Sequence, residues 1–220
     1  MRKTLDFLRR LRENNNREWF TAHKPEYLDV KARTDALAND LIALVATVDP
    51  EASRLKVADC TYRIYRDTRF SADKTPYKTH IGIFVNPPLG KKGITCGYYL
   101  DLEPDSLLFA AGTIGHPAPV LKALRQSVYD EIDEYRSIVE DPEFRKFFDT
   151  IGDDPLKTTP KGFPKDWEHI DYLKPRNFIA SGPLDEKTVC DPGFMDMLAP
   201  AVAQAARFNR FMNFTIEDFI

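Results

Sequence analysis

Hydrophobic positions recur at helical spacing through residues 1–50. Leu5, Leu8 and Leu11 lie three residues apart with charged residues around them, which predicts a short amphipathic helix. The segment NNNREWF then offers an asparagine to cap a second helix, and Pro25 suits the first turn of a third. Leucines and valines repeat at the same spacing further along. We therefore predict that this N-terminal region is helical.

Beyond residue 60 the hydrophobic pattern changes from helical to alternating. Short segments rich in aromatic and β-branched residues are separated by turn-forming residues. These segments read CTYRIYR, HIGIFVN, CGYYLDLE and SLLFAAGTIG. They predict a meander of about four antiparallel strands between residues 60 and 114.

Residues 117–220 combine helical segments with one irregular stretch. A helical pattern extends to Tyr135, and DPEFRKFF restarts a shorter helix. Residues 150–166 hold three prolines and two glycines and are predicted to be irregular, whereas NFIASGP adds a strand and residues 194–213 a last helix. Helices first, strands next and helices again favour a single α+β domain over residues 1–220. Its antiparallel sheet of about four or five strands would carry the N-terminal, central and C-terminal helices.

The composition is that of an ordinary soluble globular protein. Hydrophobic residues make up 43% and charged residues 30% of the chain. The longest apolar run, LIALVATV, is far shorter than the about 20 residues of a membrane-spanning helix, and the charged start MRKTLDFLRR does not resemble a secretory signal. Three widely separated cysteines without a C-x-x-C pair predict no disulfide framework or zinc site, so we expect a cytoplasmic location. The net charge of −3 argues against a surface that binds nucleic acid or anionic lipid as a whole, so any anion site must be local.

One stretch, RIYRDTRFSADKTPYKTH at residues 63–80, concentrates positive charge and hydroxyl groups. It holds five Lys and Arg residues beside two Asp residues. If its first residues form a strand, at least one arginine points to the covered face, where a guanidinium needs a carboxylate or a bound anion. Arginine suits bidentate recognition of carboxylate or phosphate, and lysine supplies a mobile point charge. We therefore predict that this block binds a small phosphate- or carboxylate-containing molecule. The predicted ligand-binding residues are Arg63, Arg66, Asp67, Arg69, Asp73, Lys74, Tyr77 and Lys78.

The same block admits two other functions. Asp67 and Asp73 can pair with the nearby arginines, which would make the block a structural network in a protein-interaction module. A basic strand with aromatic residues can also bind single-stranded nucleic acid, but the acidic net charge and the missing motif count against this function. Whether the chain is an enzyme stays open, because no nucleophile–base pair, metal-ligand set or cofactor motif is found in the sequence.

Four further features carry weaker signals. His80 directly follows the block and has the chemistry of a general base near neutral pH, although a residue at a strand start is more often simply exposed. The loop GKKG at 90–93 has the residues of a phosphate cradle but lacks a Walker pattern. Tyr98 and Tyr99 must face opposite sides of their strand, so at most one of them belongs to any pocket. The segment 150–166 is long enough to act as a flap over the sheet.

Four fragments of the chain together resemble a known protein family. They are NNNREWF at 14–20, YRIYRDTRFSADKTPYKTH at 62–80, GYYLDLEP at 97–104 and LKPRNF at 173–178. In this order they resemble the family called domain of unknown function 2461, and the R-D-x-R-F-S-x-D-K-x-P-Y-K block is the most specific part. The resemblance implies a widespread soluble α+β protein. It supplies no established activity, cofactor or catalytic residue, but it makes the block a signature of the family.

Overall fold

The helices of the computed structural model, which describes residues 1–220, confirm the predicted helical N-terminus. The nine α-helices are α1 (Arg2–Glu13), α2 (Arg17–Ala22), α3 (Lys24–Ala46), α4 (Val57–Cys60), α5 (Ala118–Asp130), α6 (Ile132–Val139), α7 (Pro142–Arg145), α8 (Glu186–Val189) and α9 (Phe194–Ile216). The Asn16 side-chain oxygen accepts a hydrogen bond of 2.9 Å from the Trp19 backbone N–H and so caps α2. Pro25 lies in the first turn of α3, where its missing N–H costs no helical hydrogen bond.

Five antiparallel strands form one open sheet, which confirms the predicted α+β class. They are β1 (Ile81–Val85), β2 (Gly97–Leu102), β3 (Leu108–Gly112), β4 (Thr150–Asp153) and β5 (Asn177–Pro183). Their order in the sheet is β1-β2-β3-β5-β4. The first three strands form the predicted meander, and NFIASGP forms β5 as expected.

The strand predicted for CTYRIYR is wrong. Cys60 ends α4, and the residues after it make only isolated bridges, Thr61 with Ile83 and Tyr65 with Tyr77. A regular ladder cannot extend here because the facing residue, Pro76, has no N–H to donate. Pro76 instead accepts a hydrogen bond of 2.9 Å from the Arg66 N–H through its carbonyl oxygen.

Two other elements differ from the sequence prediction. β4 lies at the start of the segment that we expected to be irregular, and Gly152 with φ +79° shifts its register against β5. A four-residue strand with a glycine inside it carries too little alternation to be recognised. The helix expected through Tyr135 breaks at Glu131, whose backbone leaves the helical region at φ −114° and ψ 41°. This break starts α6 in a new direction and lets Tyr135 pack on Phe208 of α9.

The main hydrophobic core lies between one face of the sheet and the helices α3, α5 and α9. Inward side chains of the strands, such as Leu100, Phe109 and Phe178, join this core with α9. The alternate residues point to the opposite side of the sheet, which we call the open face. Its side chains come from Phe84, Tyr99, Asp101, Leu108, Ala110, Ile179 and Ser181, next to the glycines Gly82 and Gly112. None of these residues belongs to a buried hydrophobic cluster of the protein.

A smaller hydrophobic cluster attaches the charged block to the N-terminal helices. Its buried members are Phe7, Leu8, Leu11, Phe20, Val30, Ile64 and Tyr77. The block therefore packs against α1, α2 and α3. No helix of the chain has the length and apolar character required to cross a membrane.

Candidate functional site

Tyr77 fixes the charged block to the helical region. Its side chain is only 4% exposed, and its ring stacks on Phe20 with a centroid distance of 3.9 Å. The Asn15 amide donates to the Tyr77 carbonyl oxygen at 2.9 Å and accepts from the Tyr77 N–H at 3.1 Å. Tyr77 thus has the contacts of a packing residue.

Arg66 and Asp73 are used inside the loop that joins the two arms of the block. The Arg66 guanidinium donates to the Asp73 carboxylate and to the Thr75 hydroxyl. The Thr75 backbone N–H donates to Asp73 at 2.9 Å. This backbone hydrogen bond, followed by the contact with Arg66, lowers the pKa of Asp73 to about 2. The loop therefore neutralises these two charges itself.

The remaining charges of the loop are also paired locally. The Arg69 guanidinium holds Asp67 in a bidentate contact, with Nε to Oδ1 at 2.9 Å and Nη2 to Oδ2 at 2.6 Å. The Lys74 ammonium donates to the Thr68 carbonyl oxygen at 2.9 Å. The geometry of the loop is that of the Arg–Asp network that the sequence offered as an alternative.

Lys78 differs from the cations of the loop because its ammonium has no hydrogen-bond acceptor and no carboxylate partner in the protein. It is half-buried, and its Nζ lies 5.1 Å from the ring centroid of Tyr62. Burial, followed by the positive charge of Arg63, lowers the pKa of Lys78. Arg63 is exposed and likewise forms no ion pair. The positive charges of Arg63 and Lys78 are therefore not neutralised by a carboxylate of the protein.

Lys91 brings a second ammonium to the same tyrosine ring. Its Nζ lies 5.7 Å from the Tyr62 ring centroid and donates to the carbonyl oxygens of Ala58 and Thr61, both at 2.5 Å. These two bonds fix the position of the ammonium and leave one of its three protons free. The Tyr62 ring therefore contacts two lysine ammonium groups.

The two lysines open onto a cavity of about 540 Å³ on the open face of the sheet. Its wall toward β1 carries Tyr62, Lys78, His80 and Lys91, and the rest of the lining comes from the strands, from Gly93 and from the residues after β3. A second cavity of about 480 Å³ lies between the block and helices α3 and α4, and it shares Tyr62, Lys78 and His80 with the first. Both volumes lie in the range of small-molecule sites.

Asp101 lies at the base of this cluster without an ion pair. The residue is 9% exposed, and its Oδ1 is buried without a hydrogen-bond partner. Burial raises the pKa of Asp101 to about 6, while the nearby charges of His80 and Lys78 act in the opposite direction. The neighbouring Tyr99 hydroxyl also lowers this pKa, so the carboxylate is only partly compensated, and a buried carboxylate of this kind is typical of a functional site.

Tyr99 lies beside Asp101 and depends on the glycine opposite. A Cβ at Gly82 would come within 2.5 Å of the Tyr99 hydroxyl, so the missing side chain makes room for the ring. Burial and the negative charge of Asp101 raise the pKa of Tyr99, which keeps its hydroxyl protonated and able to donate. Tyr99 lines the cavity on the open face.

This arrangement supports binding and proton transfer more readily than covalent catalysis. Free ammonium groups can bind an anion, protonated tyrosines can donate, and Asp101 can accept a proton near neutral pH. Burial raises the pKa of the neighbouring Cys60 thiol to about 11, so this thiol stays protonated and unreactive. The structure brings no three His, Cys, Asp or Glu side chains together in a way that could hold a metal ion.

Nearly the whole chain matches one family of proteins. The family model described as "Conserved hypothetical protein (DUF2461)" matches residues 3–211. The chain belongs to the DUF2461 family. The resemblance found in the sequence is thereby confirmed. No curated protein and no solved structure matches the chain.

In this DUF2461 protein the predicted ligand residues fall into three groups. Four charged residues of the loop form two ion pairs and Lys74 donates to a backbone carbonyl, Tyr77 packs in the smaller cluster, and only Arg63 and Lys78 remain unpaired beside a cavity. The loop residues are Arg66, Asp67, Arg69, Asp73 and Lys74. The structure thus divides the block into a loop whose charged residues have local partners and two cations, Arg63 and Lys78, that have none.

Sequence reasoning missed the part of the cluster that comes from outside the block. Asp101 and Lys91 were not expected beside Lys78, although the GKKG loop carried a weak signal for Lys91. Tyr99 was weighed only as one of two tyrosines on opposite faces. The alternation of β2 places Asp101 on the same face as Tyr99, and that is the signal that could have found it.

Proposed function

We propose that this DUF2461 protein binds a small molecule with a phosphate or carboxylate group at Lys78, in the cavity on the open face. The observation that carries the proposal is the half-buried Lys78 ammonium, which has no carboxylate partner in the protein and lines the cavity wall. An unpaired charge that is partly removed from water is unfavourable, and a bound anion would relieve this cost. Lys91 adds a second positive charge beside the same Tyr62 ring.

The proposal changes the set of residues that we expect to contact the ligand. The loop arginines already bind carboxylates of the protein, so an incoming anion would have to displace Asp67 or Asp73 from them. Lys78 requires no such exchange. We therefore assign the anion to Lys78 with Lys91 and Arg63 close by, and we treat the loop as the element that holds the block in shape.

The test compares two lysines of the same block. Inorganic phosphate, sulfate, acetate and succinate are titrated into the wild-type chain, Lys78→Met and Lys74→Met by isothermal calorimetry, with melting temperatures recorded in parallel. Lys74 is the matched control because its ammonium is already bound to a backbone carbonyl in the exposed loop. We expect at least one anion to lose about tenfold or more in affinity in Lys78→Met and to keep its affinity in Lys74→Met. Equal binding to all three proteins would contradict the proposal.

A second candidate, a protein-interaction module, is favoured by one observation. Phe70 is 96% exposed at the tip of the paired loop, and the Arg69 guanidinium lies 5.8 Å from its ring centroid. A large aromatic side chain presented by an ordered loop suits the central contact of an interface. Affinity capture with the wild-type chain and Phe70→Ser side by side tests this function. A partner that both proteins retain equally would count against it.

A further inference from the structure

The cavity on the open face has its positive charge on one side. Lys78, His80 and Lys91 line the wall toward β1, whereas apolar lining comes from Phe84 on β1, from Leu108 and Ala110 on β3 and from Ile179 on β5, next to the polar Thr113 and Ser181. These four apolar side chains lie outside both hydrophobic clusters of the protein, so they do not serve the core. Apolar surface in a concave site gains free energy when a ligand removes it from water.

The floor of the cavity is built from small residues. Ala110 lies in the middle of β3, and Gly112 follows it on the same face. Phe84 and Tyr99 meet edge to face beside this floor, with ring centroids 6.3 Å apart and an interplanar angle of 69°. Small residues flanked by aromatic rings leave a shallow space that fits a flat group.

The distance between the charged wall and the floor sets the length of an occupant. Lys78 precedes β1 and Ala110 lies on β3, two strands away in the sheet order. Neighbouring strands are about 4.8 Å apart, so β1 and β3 are separated by about 10 Å across the sheet, and Lys78 is more distant still because it precedes β1 whereas Ala110 is level with Phe84. An inorganic anion at Lys78 would leave the half-buried side chains of Leu108 and Ile179 uncovered. The cavity of about 540 Å³ has room for a larger molecule.

We propose that the ligand is an amphipathic anion, in which one phosphate or carboxylate group binds at Lys78 and a flat aromatic ring lies on the Ala110 floor. This inference rests on the function proposed above and adds the chemical class of the ligand. Charge complementarity fixes the orientation of the molecule, because the positive groups of the cavity lie on one side and most of its apolar side chains lie away from them. Ala110 is the residue that determines specificity for the ring.

The test uses matched pairs of ligands with and without the ring. The pairs are 1-naphthyl phosphate with inorganic phosphate and 2-naphthoate with acetate, titrated by calorimetry into the wild-type chain, Ala110→Leu and Lys78→Met. For at least one pair we expect the naphthyl compound to bind at least tenfold more tightly than its small partner. Ala110→Leu fills the floor and should remove this advantage while leaving the small anion within about twofold. Lys78→Met should weaken both members of the pair.

A second variant keeps the inference testable if Ala110→Leu does not fold. Ile179→Ser changes a half-buried side chain at the far wall of the cavity and should lower only the affinity of the naphthyl compound. Equal affinities within both pairs, or variants at positions 110 and 179 that bind the ring as well as the wild type, would overturn the inference and leave the anion site standing. Failure of all four compounds to bind the wild-type chain, or binding that Lys78→Met does not weaken, would overturn the proposed function together with the inference.

Discussion

Lys78 and Asp101 carry opposite charges beside the open face and influence each other's pKa, yet they form no ion pair. Each is at least partly buried, and each lacks a charged partner elsewhere in the protein. Most buried charges in proteins are paired, so two unpaired opposite charges beside one cavity require an explanation. A ligand that contacts this cluster supplies one, since it can complete the interactions that the two residues do not make with each other.

The first prediction concerns the pH dependence of anion binding. The pKa of Asp101 lies at about 6, so its negative charge is lost as the pH falls below this value. Loss of that charge removes a repulsion on an anion bound at Lys78. We expect the affinity for sulfate, which does not titrate in this range, to rise about three- to tenfold between pH 8 and pH 5. Calorimetric titration at several pH values measures this change.

The charged and titratable groups around Asp101 must be separated in that experiment. They are Lys78, His80, Tyr99 and Glu103. Protonation of an imidazole would also favour sulfate, so His80→Gln is compared with Asp101→Asn. We expect Asp101→Asn to bind sulfate more tightly than the wild type at pH 8 and to lose most of the increase around pH 6. An unchanged pH profile in Asp101→Asn would show that the carboxylate does not act on the anion site.

The second prediction concerns stability and pH. Burial raises the folded-state pKa of Asp101 from the ordinary 3.8 to about 6, so the folded protein binds more protons than the unfolded chain between these values. Stability therefore falls as the pH rises through this window. The full difference corresponds to about 3 kcal/mol above pH 7. Because an asparagine amide stays buried at this position, we expect Asp101→Asn to gain about 1–3 kcal/mol at pH 8 and nothing at pH 4.

Urea unfolding at the two pH values measures that difference. Asp40→Asn serves as the control, because Asp40 is exposed on α3 and forms no ion pair. It should change stability little at either pH. A loss of stability in Asp101→Asn at pH 8 would mean that the carboxylate is compensated in the folded protein, contrary to its unpaired position.

The third prediction separates the loop from the binding site. Arg66 contacts Asp73 and Thr75, and these contacts hold the loop together. We expect Arg66→Ala to lower the melting temperature by a few degrees without changing the affinity for sulfate or naphthyl ligands. Thermal unfolding and calorimetry on the same preparation measure both properties. Loss of binding in a folded Arg66→Ala protein would indicate that the ligand contacts the loop, as we predicted from the sequence.

Local pattern predicted the strands of this fold better than the pairing of its charges. The alternation in CGYYLDLE and SLLFAAGTIG is sufficient to identify β2 and β3, because each strand has one face in the core and one on the open side. The same alternation failed for CTYRIYR, where the partner segment contains Pro76. Whether a strand pairs regularly depends on the partner, and a partner far along the chain is not visible in the local pattern.

The members of the candidate site were likewise only partly predictable from the local sequence. The block identified Lys78, but four other charged residues of the block form two ion pairs and Lys74 donates to a backbone carbonyl, and this could not be decided from composition alone. Asp101 lies in a different strand, opposite Gly82, and the Tyr99 ring packs over the same glycine. Lys91 reaches the site because carbonyl oxygens before and after Cys60 hold its ammonium. Such contacts arise from the tertiary fold, so a sequence motif can mark the region of a site without defining its members.

The last prediction tests Tyr77, which the sequence placed among the predicted ligand-binding residues. Its ring stacks on Phe20, and its hydroxyl makes no hydrogen bond within the protein. Tyr77→Phe keeps the stacked ring, so we expect a melting temperature close to the wild type and sulfate affinity within about twofold. Tyr77→Ala removes the buried ring and should cost about 3–4 kcal/mol of unfolding free energy in urea titrations. A Tyr77→Phe protein that folds normally but binds sulfate weakly would place the hydroxyl in the site. The stacking contact instead leads us to expect that only the alanine variant is affected, and through stability alone.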